Sequence, residues 1–243
     1  MFYGIIRTLS GVADAFPLFV LEEIMTDFKA AIFDLDGTLI DSMYVWEKVD
    51  RDFLTERGIE VTTEYTDAVR GMYFESAARY TIAKYGFKES VEQIIQIWLN
   101  MARYEYEHNV RLKPYAKEYL QYLRNKGVKI GLATSSNPYL LEPVLLSNGV
   151  SGLFDAVCYT SQVGKNKSFP DVYLFTAKKL GVSPSECIVF EDIAEGIDGA
   201  NKAGMYTVAV FDKASESSRE YLEKNADRYI CHFSEMVGKH YGT

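Results

Sequence analysis

The chain has 243 residues, 48% hydrophobic and 25% charged, a balance that excludes a disordered or fibrous polymer and fits one large core, or a core plus a smaller inserted module. Its formal net charge of −8 excludes a broad cationic surface for nucleic acid or an anionic membrane, so an anionic ligand needs a local site that overcomes the global field. Cys158, Cys187 and Cys231 lie far apart with no C-x-x-C pair, which excludes a disulfide framework or zinc site and reads as small buried hydrophobes in strands, in a reducing cytoplasm.

Residues 1–26 read as an N-terminal extension. Their apolar runs are broken by Arg7, Asp14 and Pro17 and followed by Glu22 and Glu23, unlike a membrane span or a signal peptide. Met25 is the expected natural start, because the first strand opens a few residues later. Ala30-Ala31-Ile32-Phe33 predicts that strand, and it runs straight into two carboxylates, Asp34 and Asp36, followed by Gly37 and Thr38. A buried strand gains nothing from acids at its tip, so something is bound or attacked there. Residues 43–110 contain no β-rich run. Helices are expected at 43–57, 64–69, 74–85 and 90–108, punctuated by Gly58, Gly71 and Gly86. Pro114 marks a return, with a helix at 115–125. From Val128 onward apolar runs alternate with helix-period segments: VKIGLAT, 138–148, DAVCYT, 170–180, CIVFED, 194–203, YTVAVF and 216–224. This alternation predicts an α/β fold, a doubly wound parallel sheet with helices on both faces. The core is assigned to residues 27–42 and 111–243, and an inserted all-helical cap to 43–110.

Ligands of open parallel sheets bind at the carboxyl ends of the strands. Those ends carry Asp34 and Asp36 after the first strand, the run Thr134, Ser135, Ser136 and Asn137 after GLA, and Glu191 and Asp192 after CIVF. Lys165 and Lys167 fall in the loop VGKNKSFPD. Clustered carboxylates suit a hard divalent cation such as Mg²⁺, and a cation, an ammonium and a hydroxyl together can neutralise a phosphoryl group. A carboxylate such as Asp34 can then attack phosphorus, with Asp36 as general acid and base. Read singly, Glu191-Asp192 and the Thr134–Asn137 run are ordinary helix caps, and the lysines ordinary loop charges. The D-x-D-G start also opens a calcium loop, but the sixth and twelfth positions are Leu39 and Val45 rather than glycine and glutamate. No phosphate-binding or dinucleotide glycine fingerprint is present.

Taken together, DLDGT, Thr134, the lysine loop and FED resemble the haloacid dehalogenase-like hydrolase superfamily from about Phe28 to Gly238, in its helical-cap phosphatase and β-phosphoglucomutase-like branch. The resemblance implies a Mg²⁺-dependent phosphatase acting on a small phosphorylated metabolite through an aspartyl-phosphate. It implies that Asp34 is nucleophile and metal ligand, and that Asp36 is the acid and base whose backbone carbonyl also reaches the metal. Thr134 is implied as the phosphate-binding hydroxyl with Ser135 and Gly37 beside it, and Asp192 and Glu191 as metal ligands. Lys167 fits the family's K-P-x-P-D pattern, here KSFPD, better than Lys165, although Ser168 replaces the usual proline. The motif aspartates Asp36 and Asp192 argue against dehalogenation. A phosphomutase shares all these motifs but must grip a second phosphate in its cap. At the cap positions where the mutase has histidine and arginine this chain has Trp46 and Phe74, which cannot make charge-assisted hydrogen bonds. Thr38 in place of valine also leans toward a phosphatase. Arg70, Arg79 and Lys84 are the remaining cap cations for the mutase alternative. At helical spacing, Tyr44, Trp46, Tyr73 and Phe74 otherwise read as cap core.

Overall fold

The computed structural model describes residues 28–236; the expectations for residues 1–26 and for Met25 lie outside them. Six strands form one parallel sheet: β1 (Ala30–Phe33), β2 (Lys129–Thr134), β3 (Ala156–Tyr159), β4 (Cys187–Glu191), β5 (Tyr206–Val210) and β6 (Arg228–Ile230). Their spatial order is β3-β2-β1-β4-β5-β6. Successive strands are added first on one side of β1 and then on the other, so the order reverses beside β1. That reversal is where doubly wound sheets open a crevice. Phe33 pairs in register with Leu132 on one side and Phe190 on the other, which brings the residues following β1 and β4 level with each other.

Burial on both faces explains the near-continuous apolar strands. On one face Phe33 stacks on Phe190 at 4.6 Å between ring centroids, and Tyr119 and Phe233 close the cluster. The opposite face packs Ile32, Cys158, Tyr173 and Val189. The rings of Phe33 and Phe190 thus sit immediately beneath the acids that follow them. β6 is an additional edge strand that sequence periodicity does not reveal, being three residues long and opening with a charge, as edge strands do. Cys158 and Cys187 are buried in β3 and β4, whereas Cys231 is exposed just beyond β6, so the expectation of three buried cysteines fails there.

Five helices lie between β1 and β2, and the first four form the insertion: α1 (Val45–Thr55), α2 (Thr63–Val69), α3 (Phe74–Tyr85) and α4 (Val91–His108). The stripe Val45, Val49 and Phe53 of α1 faces Ile94, Trp98 and Ala102 of α4, the four-residue spacing of one helix face. Thr62 caps α2, a Ser90–Gln93 capping box opens α4, and Gly86 ends α3 with φ +70°. The connection into this insertion and the connection out of it run side by side. Ile40 pairs antiparallel with Leu112, Asp41 N donates to Arg111 O at 2.9 Å, and Lys113 N donates to Leu39 O at 2.8 Å. Partly buried Lys113 then ties the returning segment to Asp212 at 2.9 Å and to the carbonyl of Phe211 at 2.6 Å.

The remaining helices are α5 (Ala116–Asn125), α6 (Pro138–Ser147), the single turn α7 (Thr160–Val163), α8 (Asp171–Leu180), α9 (Ala194–Lys202) and α10 (Arg219–Asn225). The first of these starts one residue later than expected because Tyr115 has a left-handed backbone, φ +64°. Among the described residues no helix is long and apolar enough to cross a membrane.

Candidate active site

Asp34 leaves β1 still tied to the sheet, its amide donating to Phe190 O at 3.0 Å. Glu191 ends β4 and Asp192 follows it. Carboxylate oxygens of Asp34, Glu191 and Asp192 lie within 4.8 Å of one another, and all three residues are buried. Lys167 is 5% exposed and pairs with both Asp34 Oδ1 and Glu191 Oε1, the latter at 2.6 Å. One ammonium therefore faces three buried carboxylates.

That imbalance shows in the proton affinities. Burial works against the charge of Lys167, but Asp34 and Glu191 outweigh it and hold the ammonium above its ordinary range. Burial, with added repulsion from Asp34, pushes Glu191 up to about 8 and Asp192 up to about 7. Asp34 is also raised, by burial first, although Lys167 opposes the shift. A site of hard oxygen donors with surplus negative charge suits a divalent cation of the Mg²⁺ kind. Glu191 Oε2, buried and without a hydrogen-bond partner among the described residues, is a further sign that the donor set calls for a cation.

Glycines make the room. Gly37 has φ +82°, and a Cβ there would lie 2.3 Å from Asp192 Oδ2. Its amide donates to Ile40 O at 3.1 Å, so Gly37 closes the turn and backs Asp192. Thr38 Oγ1 donates to Asp192 Oδ1 at 2.8 Å. On α9, a Cβ at Gly196 would meet Glu191 Oε2 at 2.5 Å and one at Gly199 would meet the carbonyl of Lys167 at 2.0 Å. Two mid-helix glycines three apart are costly for a helix, and that was the available signal for this smooth face. Tyr173, buried on α8, donates to Glu191 Oε1 at 2.7 Å; nothing in the sequence marks it.

Thr134, fully buried at the end of β2, accepts from Ser136 N at 2.9 Å. Ser135 accepts from Thr160 Oγ1 at 3.3 Å, and Asn137 caps α6 by accepting from Tyr139 N at 2.9 Å. Lys165 points elsewhere, its Nζ 4.7 Å from the centroid of Phe169. The carboxylate of Asp36 does not join the acidic trio; it accepts hydroxyls from Ser42 and Tyr106. Burial, then the charge of Asp36, raises the Tyr106 hydroxyl far above its ordinary range, so it stays a donor.

These groups line a cleft of about 580 Å³ in which Asp34, Asp36, Thr134, Ser135, Lys167 and Asp192 meet Met43, Trp46 and Phe74 from the insertion side. A second cavity of about 720 Å³ adjoins it, also lined by Met43, Trp46 and Phe74, with Asp50, Arg70 and Trp98. Trp46 and Phe74 pack edge to face at 4.9 Å and line both spaces. Among the described residues, Lys167 is the only lysine or arginine lining the cleft that holds Asp34. Arg79 and Lys84 are paired on the surface with Glu75 at 2.6 Å and Glu64 at 2.9 Å.

A sequence profile of the haloacid dehalogenase-like hydrolases matches residues 28–204. The chain belongs to the haloacid dehalogenase-like hydrolases. Among its curated relatives in this hydrolase family, hexitol phosphatase B of Escherichia coli O157:H7 is 30% identical over 217 residues, covering 86% of this chain and 95% of that protein. Fructose-1-phosphate phosphatase YqaB of Escherichia coli K12 is 27% identical over 183 residues, covering 75% and 96%. The crystal structure of a β-phosphoglucomutase from Clostridium difficile aligns with a TM-score of 0.65 at 25% identity, covering 88% of this chain and 95% of that one. The parallel sheet and the intervening helices are thus those of a haloacid dehalogenase-like hydrolase.

Proposed function

We propose that this protein is a Mg²⁺-dependent phosphatase of small sugar or polyol monophosphates, working through a phosphorylated Asp34. The observation that carries the reading is the convergence of Asp34, Lys167, Asp192 and Asp36 in one cleft at the carboxyl ends of β1 and β4. Asp34, Glu191 and Asp192, with the Asp36 carbonyl, would hold the cation, which when bound supplies positive charge to the phosphoryl oxygens.

Lys167 and Thr134 bind phosphoryl oxygens, with Ser135 beside them. The contact from Lys167 to Asp34 Oδ1 fixes the rotamer of the nucleophile, which attacks phosphorus in line with the departing ester oxygen. Asp36 protonates that oxygen, then takes a proton from the water that hydrolyses the aspartyl-phosphate. Residues 43–110 act as a cap, with Trp46 and Phe74 limiting the length of the leaving group and excluding water. The names of the relatives, hexitol and fructose-1-phosphate phosphatases, agree with a compact polar substrate, and unpaired cysteines agree with a reducing cytoplasm. The absence of an insertion-side cation from the cleft lining favours a phosphatase over a mutase; Arg70 lies in the adjoining cavity, past the Trp46–Phe74 pair.

The test is a time course on a panel of monophosphates with Mg²⁺ or chelator, including β-glucose 1-phosphate with a trace of the 1,6-bisphosphate, quantifying phosphate and glucose 6-phosphate. Metal-dependent phosphate release that Asp34→Asn abolishes is the expected result. Glucose 6-phosphate formed without phosphate release would establish the mutase instead.

A further inference from the structure

Asp36 receives two hydroxyl hydrogen bonds, and both fall on the same oxygen. Tyr106 Oη donates to Oδ1 at 2.5 Å and Ser42 Oγ donates to it at 2.7 Å. Both donors are buried, each 2% exposed. Ser42 belongs to the connection that follows the D-x-D turn, but Tyr106 comes from the last turns of α4, far along the chain.

The tyrosine is held from behind. Arg103 of α4 donates to Tyr139 O at 3.1 Å and lies over the Tyr139 ring at 4.4 Å, and Ser147 Oγ reaches the carbonyl of Tyr106 at 3.5 Å. Neighbouring Glu105 is buried, pairing with Lys48 at 3.3 Å and accepting from Asn109 at 2.9 Å. The turn of α4 that carries Tyr106 is therefore tied to α1 and α6. Among the described residues no hydrogen bond reaches Asp36 Oδ2, and Asp36 lines the cleft.

We propose that Tyr106, assisted by Ser42, is a positioning residue that clamps Asp36 Oδ1 and so assigns Oδ2 to proton exchange with the leaving group. The proposal rests on the phosphatase reading above. In the step concerned, an oxygen of Asp34 bonds to phosphorus, the bond from phosphorus to the ester oxygen breaks, and the proton on Asp36 Oδ2 passes to that departing oxygen. An alkoxide leaves poorly without the proton, whereas p-nitrophenolate leaves without it. Tyr106 also completes the stripe Ile94, Trp98 and Ala102 on α4, so a purely structural part is the alternative to defeat.

The experiment compares kcat/KM of wild type and Tyr106→Phe on sorbitol 6-phosphate and on p-nitrophenyl phosphate, with Mg²⁺ and with melting temperatures recorded. The alkyl ester should lose roughly ten- to hundredfold, the scale of one hydrogen bond to a charged group, and the aryl ester less than about threefold. Ser42→Ala removes the other donor from the same oxygen and should show the same asymmetry, which keeps the test open if Tyr106→Phe folds poorly. Equal losses on both esters, or none on either, overturn the positioning role while leaving the phosphatase standing. Wild-type enzyme that turns over neither ester overturns the phosphatase reading and the proposal with it.

Discussion

Replacing Gly37 by alanine perturbs the site in two separable ways. The residue has φ +82°, and its new Cβ would start 2.3 Å from Asp192 Oδ2 and 2.8 Å from Cγ. A non-glycine residue in the left-handed region costs about 1 kcal/mol or somewhat more. Relieving the overlap requires the carboxylate to retreat by about 1 Å, which disturbs the hydrogen bond that Thr38 makes to it at 2.8 Å. Losing a buried hydrogen bond to a charged group adds about 1.5–3 kcal/mol. The sum is about 3–4 kcal/mol, or a melting temperature lower by roughly 6–16 °C for a chain of this size. Gly86→Ala supplies the control, because Gly86 has φ +70° with nothing within 4 Å of its Cβ position and should lose only the backbone part, about 1 kcal/mol. Scanning calorimetry gives both melting temperatures, and Mg²⁺ titration of phosphate release gives the second readout. A carboxylate misplaced by about 1 Å at a reacting centre can cost on the order of a hundredfold in turnover, and half-saturation should move to higher Mg²⁺ for Gly37→Ala alone. Equal losses in the two variants, or unchanged Mg²⁺ dependence in Gly37→Ala, would refute the idea that this glycine exists to make room for Asp192.

Other outcomes follow from the same geometry. Asp192 and Glu191 have their affinities raised to about 7 and about 8, so the folded chain keeps protons that an unfolded one releases in the ordinary carboxylate range near 4. Stability of the metal-free protein should therefore decline as pH rises through those two values, and Mg²⁺, which binds the ionised acids, should restore most at the alkaline end; melting curves with chelator and with Mg²⁺ that run parallel across this range would contradict it. Lys167→Met strips the buried acids of their one ammonium and should abolish turnover and cost about 3–5 kcal/mol, while exposed Lys165→Met should stay within about 0.5 kcal/mol of wild type in denaturant melts. Trp46→Ala or Phe74→Ala should join the two cavities, raising relative kcat/KM for longer leaving groups with Mg²⁺ half-saturation unchanged; parallel losses for every ester would mark the pair as cap packing only. Gly199→Ala forces a Cβ to 2.0 Å from the Lys167 carbonyl, and should lower both melting temperature and turnover, whereas exposed Gly152→Ala, with nothing within 4 Å, should change neither.

How much of this was legible depends on where each residue's information resides. β1 to β5 announce themselves as apolar runs because they are covered on both faces, while β6 is too short and too polar at the edge to do so. The acids stand out in the sequence because they break the apolar pattern at strand tips. Choosing between Lys165 and Lys167 needs the loop: Asn166 Oδ1 accepts from Ser168 N at 3.2 Å and Ser168 Oγ at 2.6 Å, a local turn between lysines that end up on opposite sides, one over Phe169 and one beside Asp34. Tyr106 and Tyr173 were hidden for another reason. Each sits in a helix among buried apolar neighbours, so its ring satisfies the periodicity completely and only its hydroxyl, whose partner is distant in sequence, separates it from core.

The paired strands at Leu39–Asp41 and Arg111–Lys113 have a consequence for inheritance. Because Ile40 and Leu112 already touch, everything between them is, to the sheet, a loop whose ends are closed in advance. Doubling the length of such a loop changes its closure free energy by only about 0.6 kcal/mol. The β1 tip, with Asp34, can thus be passed on unchanged while the intervening helices are lengthened, shortened or exchanged outright. On the proposed function, bond-breaking chemistry and the choice of molecule to break would be encoded in separable stretches of one chain, joined at a seam two strands wide.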